Sequence, residues 1–582
     1  MQNEPSEQSK EGLTIEHSPA HHVDNSQLLR RDDSQMRTGT ERLQNTALWA
    51  CLTFVALGAC ETLVQAETRV ERWGMFEFVL DGPDSESAYV DVTFSATFKH
   101  DDKTVAAPGF YDGDGKYKVR FSPPALGRWT FSTESNRDEL AGKTGSVLAI
   151  SPTAGNHGPV QVVNTFYLQY ADGAPYYAVG TTAYQWTSVD QSIQRKTVET
   201  LAAAPFNKIR MCVFPKWYRH GNNTEPWAYP FQRDGDKNDF TRPNYEFFRN
   251  FDRRVQQLAD MGIQADVILF HSYDKWGYSK MGREHDDRYM RYMIARLSAY
   301  RNVWWSMANE YDLMIHNKEK TRADFDRFFQ ICRNEDPHQR LRGNHNWYYS
   351  EDHFYDHSHA WVTHASLQTC HFWNLLKWRR QYRKPILVDE MRYEGDVSSN
   401  WGNLSAEEMT SYFWMAGLCG AYPTHGDTFD NRAGNSETRW WGKGGTLPGK
   451  SVPRIAFFKS IMKQAPITEM TPTIDVEGEG STKTLNDNIH ILAKPGVYYL
   501  AYVANADKTI RLDLPAGARY TVELIDTQNL TIKRLPDAAP GCFSFKTTAG
   551  YCALRVIAAS ETRHAPRTQP ARVTRDTNNS EL

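Results

Sequence analysis

Hydrophobic and polar positions change their period twice along the chain, and this change divides the sequence into three segments. Between residues 70 and 150, apolar and polar residues alternate in short runs such as MFEFVL (75–80) and AYVDVTFSATF (88–98). Alternation with a period of two is typical of β-strands that bury one face. The first segment is therefore predicted to form an N-terminal β-sandwich over residues 67–152.

From residue 176 onward, short apolar runs alternate with segments of helical periodicity. Eight such runs span residues 176–184, 207–215, 264–271, 303–310, 341–346, 361–367, 385–390 and 417–426. Between them, residues 247–262 and 288–300 place apolar side chains at i, i+3 and i+4, as on one face of an amphipathic helix. Eight buried strands that alternate with helices predict an α/β fold, a (β/α)8 TIM barrel over residues 160–470.

The period returns to two after the barrel, in runs such as NIHILAK (488–494) and YTVELID (520–526). This pattern predicts a C-terminal β-sandwich over residues 475–558, so that two sandwiches flank the barrel. Residues 559–582 are polar, contain two prolines and show no period, which predicts a disordered tail.

The apolar stretch at residues 47–59 is too short to span a bilayer, which takes about 20 residues. Basic residues precede it, and small residues that end at Ala66 offer a cleavage site, so residues 36–66 are predicted to be an export signal. Residues 1–35 lie upstream of this signal and are not expected in the mature protein. The stretch LGAC also resembles a lipobox, in which Cys60 would carry a lipid. Simple cleavage and lipidation both remain open, with the protein periplasmic, secreted or lipid-anchored.

Composition narrows the choice of partner. The chain has 67 basic and 70 acidic residues, a formal net charge of -3, so it offers no positive field for nucleic acid. Aromatic residues make up 13% of the chain, including 17 Trp. Flat rings in a cleft suit stacking on sugars, although large cores would also explain this content.

Six cysteines lie outside the predicted signal, with no CxxC pair and no spacing typical of metal ligands. Cys542 and Cys552 flank a predicted hairpin turn, but the register of a tight turn does not place them opposite each other. We expect all six to be buried small side chains rather than disulfides.

Polar side chains recur where the predicted barrel strands end. Parallel barrel strands bring their carboxyl ends to one rim, where barrel enzymes carry their active sites, so we expect these side chains to converge. The candidates are Arg210, His271, Asn309, Glu310, His345, Asn346, His364, Asp389, Glu390, His425 and Asp427.

Glu310 and Glu390 end the fourth and seventh strands, on opposite sides of the predicted barrel mouth. Hydrolysis of an acetal needs two carboxyl groups, one that protonates the leaving oxygen and one that attacks or stabilises the anomeric carbon. Glu394 is a second candidate for the attacking group, but it lies four residues beyond the strand end.

The motifs SMANEYD (306–312) and KPILVDEMRYEG (384–395) resemble those of the clan of retaining barrel glycoside hydrolases. The resemblance implies that Glu310 is the acid/base, that Asn309 binds the sugar 2-hydroxyl and that Glu390 is the nucleophile. It also implies that Arg210 keeps the nucleophile ionised.

Within this clan, the chain is most similar to apiosidase-like bacterial barrels that carry an N-terminal immunoglobulin-like domain. The similarity spans residues 70–558 and rests on phrases such as GFYDGDG (109–115), RFSPPALGRW (120–129) and WWGKGGTLPGKS (440–451). It implies a common mechanism but leaves the sugar open.

The sequence thus predicts an exported glycosidase that cleaves O-glycosidic bonds of a poly- or oligosaccharide by a retaining mechanism, without a cofactor. Two alternatives stay open: a non-catalytic carbohydrate-binding or adhesion protein, and a metal-dependent hydrolase with zinc on His271, His345 and His364. The predicted substrate-binding residues are Asn309, Arg210, His271, His345, His364, Asp427 and Trp440.

Overall fold

A computed structural model describes residues 67–218, 223–348, 351–429, 439–475 and 489–559. The predicted export signal, its alternative lipid site at Cys60 and the predicted tail from residue 560 lie outside these ranges. Within them, no helix is long and apolar enough to cross a membrane.

The N-terminal domain has two sheet layers that share one strand. Its strands are β1 (Arg69–Glu71), β2 (Phe76–Asp81), β3 (Phe94–His100), β4 (Lys103–Tyr111), β5 (Lys116–Phe121), β6 (Gly127–Ser135) and β7 (Thr144–Ile150), and a short helix, α1 (Ala88–Asp91), follows β2. β4 pairs with β3 up to Pro108 and with β5 from Gly109 onward, so it passes from one layer to the other. Stacked Phe98 and Phe121 fill the space between the layers, as expected for a sandwich.

A hairpin of β8 (Val160–Val163) and β9 (Tyr167–Tyr170) leads into the barrel. The eight barrel strands, named here strand one to strand eight in chain order, are β10 (Gly180–Thr182), β11 (Lys208–Cys212), β14 (Gln264–His271), β15 (Val303–Asn309), β16 (Arg342–Gly343), β17 (Ala365–Gln368), β18 (Ile386–Glu390) and β19 (Ala421–His425). The remaining pair, β12 (Phe231–Asp234) and β13 (Lys237–Pro243), forms an antiparallel hairpin after strand two.

The strands run parallel in the order five, four, three, two, one, eight, seven, six. A parallel bridge between His345 and Ser366 joins strand five to strand six and closes the ring. The structure therefore confirms the predicted α/β barrel with sheet-rich domains on both sides.

Helices alternate with these strands. They are α2 (Gln191–Ala203), α3 (Tyr245–Asp260), α4 (Arg283–Leu297), α5 (Tyr311–His316), α6 (Arg322–Glu335), α7 (Leu375–Tyr382), α8 (Ala406–Leu418), α9 (Trp440–Lys443) and α10 (Val452–Gln464). Both helical segments predicted from periodicity are present, as α3 and α4. Between strands five and six the described residues contain only a 3-10 turn, Glu351–His353.

Five barrel strands, one, two, five, six and eight, are each at least three residues shorter than predicted. Strand one covers three residues instead of nine, and residues 417 and 418 belong to α8 rather than to strand eight. Gly420, with φ of 74°, separates that helix from the strand. An apolar run that contains a buried helix end and a buried strand start shows no break in hydrophobicity, so periodicity could not divide it.

The barrel interior carries buried charges. Lys208 on strand two contacts Asp266 on strand three and Asp389 on strand seven, each at 2.7 Å, and all three side chains are almost fully buried. Asp389 also accepts hydrogen bonds from Ser366 at 2.5 Å and Thr424 at 3.1 Å. This network ties together five strands directly beneath the rim that carries Glu390.

Buried ion pairs also connect the N-terminal sandwich to the barrel. The Arg296 guanidinium of α4 lies 2.6 Å from Asp112, in the turn between β4 and β5, and 2.6 Å from Asp252 of α3. From the sandwich side, Arg120 contacts Asp252 at 2.9 Å. Because each charge has an opposite partner, the contact compensates for the cost of removing these groups from water.

The C-terminal domain consists of β20 (Thr471–Asp475), β21 (Ile489–Lys494), β22 (Tyr498–Val503), β23 (Thr509–Leu514), β24 (Tyr520–Asp526), β25 (Thr531–Ala538), β26 (Gly541–Lys546) and β27 (Cys552–Ala558). The predicted hairpin between Cys542 and Cys552 is wrong: β26 pairs with β23, whereas β27 pairs with β22 and β24. The two strands lie in different sheets, and all six described cysteines are free thiols. Four are buried as expected, whereas Cys370 is half-buried and Cys542 is exposed.

Candidate active site

Glu310 lies at the turn between β15 and α5. Its backbone is in the left-handed region, with φ of 57°, which L-residues adopt only at an energetic cost. The Glu310 N–H donates to Nδ1 of His345 at 3.4 Å, and the next N–H, of Tyr311, donates to the His345 carbonyl at 2.8 Å. Both bonds go to His345, which follows strand five, so this residue holds the turn in place.

The environment of the Glu310 carboxyl favours its protonated form. Burial, followed by the nearby charge of Glu390, raises its pKa to about 8. Lys216 and the Tyr273 hydroxyl, which donates to Glu310 Oε2 at 2.5 Å, act in the opposite direction. At neutral pH this carboxyl can therefore hold a proton and still receive a hydrogen bond.

Glu390 is contacted by a phenol, a guanidinium and an imidazole on one oxygen. Its Oε1 accepts a hydrogen bond from the Tyr184 hydroxyl and one from Nη1 of Arg210 at 3.4 Å. Nε2 of His345 lies 3.9 Å from the same oxygen. A guanidinium and a phenol that share one oxygen stabilise negative charge there.

The Lys216 side chain is buried among aromatic rings, which is unusual for a lysine. Its ammonium lies over three phenol rings, at 3.9 Å from the centroid of Tyr184, 4.3 Å from Tyr273 and 5.5 Å from Tyr218. We call Lys216 with these three tyrosines the lysine cage. Burial lowers the pKa of Lys216, while the charges of Glu310 and Glu390 act to raise it.

The lysine cage connects the two carboxyl groups. Tyr184 bonds to Glu390, Tyr273 bonds to Glu310, and one ammonium contacts both rings. Within the described residues, the ammonium makes no ion pair and no hydrogen bond. Its charge therefore acts on the site through space and through the rings.

Aromatic side chains from two later loops complete this side of the mouth. Trp441 packs on Tyr218 at 4.6 Å and on Trp401 at 5.4 Å, and lies nearly parallel to Tyr393 at 5.9 Å. The hydroxyls of Tyr393 and Tyr184 are 3.2 Å apart. This wall is apolar with a few hydroxyls, which is typical of a small-molecule pocket.

The structure brings three of the predicted residues to the two carboxyl groups, Arg210, Asn309 and His345, and His271 lies opposite Asn309 in the register of strands three and four. The amide oxygen of Asn309 is buried and has no hydrogen-bond partner among the described residues. Nε2 of His271 donates to the Phe214 carbonyl at 3.1 Å, and burial lowers the pKa of this histidine to about 3, so it is neutral.

Three predicted substrate contacts do not lie at the two carboxyl groups. His364 packs on Trp304 below the rim and contacts Thr363. Trp440 is fully buried and donates its indole N–H to Thr181 at 2.8 Å. Asp427 accepts from the backbone of Phe429 and Gly449 and shapes the loop after strand eight. Each of these side chains has its contacts inside the protein.

Glu394, the second candidate for the attacking group, also shapes a loop. Its carboxylate accepts hydrogen bonds from the N–H of Lys450 at 2.7 Å and from the Ser451 hydroxyl at 2.5 Å.

The three histidines considered as zinc ligands, His271, His345 and His364, do not form a cluster. No three His, Cys, Asp or Glu side chains of the described ranges are close enough to hold a metal ion.

Several residues of the site were not among the predictions: Lys216, Tyr184, Tyr218, Tyr273, Tyr393 and Trp401. Most follow the end of a barrel strand by a few residues, where a barrel enzyme places its binding groups. Their position just after a strand end was the sequence signal by which these residues could have been predicted. Trp440, the predicted substrate contact, is buried, whereas the neighbouring Trp441 packs on Tyr218 and Tyr393 at the site.

A closed parallel barrel, with a proton-holding carboxyl after strand four and an ion-paired carboxyl after strand seven, defines the class of barrel glycosidases. Residues 163–468 match the model of the apiosidase-like catalytic domain. The chain therefore belongs to the apiosidase-like family and carries the catalytic domain of a glycoside hydrolase. Residues 69–136 and 488–557 match two domains of unknown function, DUF5060 and DUF5605.

Solved structures agree with this placement. The crystal structure of a proposed glycoside hydrolase from Bacteroides vulgatus ATCC 8482 is 33% identical, with a TM-score of 0.76 over 85% of this chain and 100% of that one. A family 5 glycoside hydrolase from the same organism is 15% identical, with a TM-score of 0.51 over 69% of this chain and 94% of that one, and shows a similar fold. No match was found among curated proteins.

Proposed function

We propose that the protein hydrolyses O-glycosidic bonds of an oligo- or polysaccharide with retention of anomeric configuration. The observation that carries the proposal is the opposite environment of the two carboxyl groups. Burial raises the pKa of Glu310 to about 8, whereas Glu390 receives the Arg210 guanidinium and the Tyr184 hydroxyl. Such a division of environments assigns acid and nucleophile.

In the first step, the Glu390 carboxylate attacks the anomeric carbon and forms a glycosyl ester. The bond between that carbon and the leaving oxygen breaks, and Glu310 gives its proton to this oxygen. In the second step, Glu310 takes a proton from water, the resulting hydroxide equivalent attacks the anomeric carbon, and the ester bond to Glu390 breaks. Arg210 and Tyr184 stabilise Glu390 when it leaves as a carboxylate.

Asn309 and His345 position this chemistry. The unpartnered amide oxygen of Asn309 precedes the acid and suits a hydroxyl of the bound sugar. His345 contacts the Glu310 backbone on one side and Glu390 on the other. Because burial lowers its pKa well below the usual value, we take it as neutral, and it adds no charge to compete with Arg210.

The test uses Glu310→Ala, Glu390→Ala and the wild type on a panel of aryl glycosides and of plant, algal and bacterial polysaccharides. Both variants should lose turnover of natural substrates. The Glu310 variant should keep more activity on aryl glycosides with good leaving groups, since these need no acid, while the Glu390 variant should not. Proton NMR of the first product gives its anomeric configuration, and an inverted product would contradict the mechanism.

We also propose that the protein is exported, since residues 36–66 have the composition of an export signal. Mass spectrometry of the mature N-terminus distinguishes the two processing routes. Cleavage after Ala66 gives a free amine, whereas the lipoprotein route leaves a lipidated Cys60. An intact N-terminus upstream of residue 36 would contradict both.

A further inference from the structure

Two aromatic side chains on the rim are exposed, unlike the other aromatic residues of the described ranges. Across the described ranges, eight large hydrophobic residues are exposed. Only two of them are aromatic, Tyr348 at 38% and Trp373 at 42%. Trp347 packs on Tyr348 with ring centroids 4.3 Å apart. We call Trp347, Tyr348 and Trp373 the rim platform.

The first half of the rim platform is tied to the turn of Glu310. The Asp312 carboxylate, two residues after the acid, accepts from the N–H of Trp347 at 2.5 Å and of Tyr348 at 3.0 Å. Charge-assisted bonds of this kind hold a loop in one conformation. The two rings therefore keep a fixed position beside the acid.

The second half is tied to Glu390. The N–H of Thr369 donates to the Glu390 carbonyl at 2.9 Å, and the Thr369 hydroxyl accepts from the N–H of His371, whose ring lies 4.9 Å from Trp373. The starts of the two loops are joined to each other, because the Asn346 amide donates to the Tyr348 and Gln368 carbonyls and accepts from the N–H of Gln368. The rim platform thus lies between the two catalytic strands, with one loop bonded to the turn of Glu310 and the other to the backbone of Glu390.

The two sides of the barrel mouth differ in how far their aromatic rings are exposed to solvent. Around the lysine cage the rings are largely buried and packed on one another, whereas the rim platform offers ring surface to solvent. The leaving oxygen must lie beside the acid, and the rim platform starts from the acid's own turn. A sugar face that stacks on an exposed ring removes apolar area of both partners from water.

We propose that the rim platform is the binding site for the leaving-group side of the substrate, where Tyr348 and Trp373 stack on pyranose rings of an oligosaccharide. This inference rests on the proposed function for its direction, but it concerns binding beyond the bond that is cleaved. It predicts that the natural substrate carries at least one further sugar on that side.

The kinetic test compares two substrates of the same glycone, selected from the panel above. A glycosyl fluoride has no sugar on the leaving side, so it cannot reach the rim platform, while the matching oligosaccharide can. Tyr348→Ala and Trp373→Ala should each raise KM for the oligosaccharide by roughly two- to tenfold, the range expected for one aromatic contact. The same variants should leave kcat/KM for the fluoride unchanged.

Trp373→Phe keeps a ring and should retain most of the affinity, and Leu530→Ala, a similarly exposed residue of the C-terminal domain, should change neither substrate. Equal losses on both substrates, or no loss on the oligosaccharide, would overturn the proposal. If the wild type fails to hydrolyse any fluoride or oligosaccharide, the proposed function fails separately.

A binding experiment is independent of turnover. Glu390→Ala protein is applied to an array of oligosaccharides released from plant, algal and bacterial polysaccharides, with and without the double change Tyr348→Ala/Trp373→Ala. The double variant should lose binding by roughly tenfold or more. Identical binding profiles, or no binding by either protein, would overturn the rim platform as a sugar site.

Discussion

The charge of Lys216 should set the pH range over which the enzyme works. The change Lys216→Met keeps an unbranched side chain of similar length between the rings of Tyr184 and Tyr273, and removes only the positive charge. Because that charge stabilises the ionised form of Glu310, its removal should raise the pKa of Glu310 above the value of about 8.

The size of the effect follows from the contacts of Tyr273. The Lys216 ammonium is 4.3 Å from the centroid of this ring, and the ring hydroxyl is 2.5 Å from the Glu310 carboxylate. The ammonium and the carboxylate are thus beyond ion-pair distance but within roughly 10 Å of each other, which at an effective dielectric constant near 20 gives about 1.5 to 4 kcal/mol. This energy corresponds to a rise of about one to three pKa units.

The assay is the pH dependence of kcat/KM on an oligosaccharide, which reports the acid of the free enzyme. Glu310 must be protonated in the first step, so activity is present below its pKa and falls as the pH rises through it. The alkaline limb of Lys216→Met should therefore move to higher pH by about one unit or more. Lys216→Arg retains the charge and should shift far less. An alkaline limb that stays in place in Lys216→Met, or that moves equally in both variants, would refute this reasoning.

Three further predictions concern the nucleophile and the domain contact. Tyr184→Phe removes a hydrogen bond to the Glu390 carboxylate and should lower kcat/KM by roughly ten- to a hundredfold, measured on glycosyl fluorides that need no acid. Arg296→Met leaves buried carboxylates unpaired and should lower the free energy of unfolding in urea by about 3 to 5 kcal/mol, whereas the exposed Arg291→Met should cost about 1 kcal/mol or less. Burial alone would raise the pKa of Asp112, but Arg296 and Lys118 hold it at about 2. Its contribution to stability is therefore complete above the ordinary carboxyl pKa and should be lost as pH falls from about 4 toward 2, as an acid melt would show.

Much of the barrel could be predicted because its strands are short, apolar and separated by amphipathic helices. Strand three has the predicted bounds, 264–271, and strands four and seven each differ by one residue. What could not be predicted is the charged interior. Lys208, Asp266 and Asp389 lie within otherwise apolar runs, and only the closed ring brings these three residues of strands two, three and seven together.

The two carboxyl groups and Arg210 could be predicted because parallel strands bring their carboxyl ends to one rim. The tyrosines and Lys216 could not be placed in the same way, because a loop residue has no fixed direction relative to its strand. Adjacent tryptophans show this limit. Trp440 and Trp441 belong to a four-residue helix, whose successive side chains point about 100° apart, so one is buried against Thr181 and the other lines the mouth.

The residues around Glu310 show how one short segment serves both chemistry and binding. Asn309 ends the strand with an unpartnered amide, and Glu310 turns the chain in a left-handed conformation. Tyr311 then bonds to the carbonyl of His345, and Asp312 holds the loop of the rim platform. These hydrogen bonds hold the chain on both sides of the left-handed turn, a conformation that L-residues adopt only at a cost. The position of the acid and the position of the surface beside it are therefore set by the same bend.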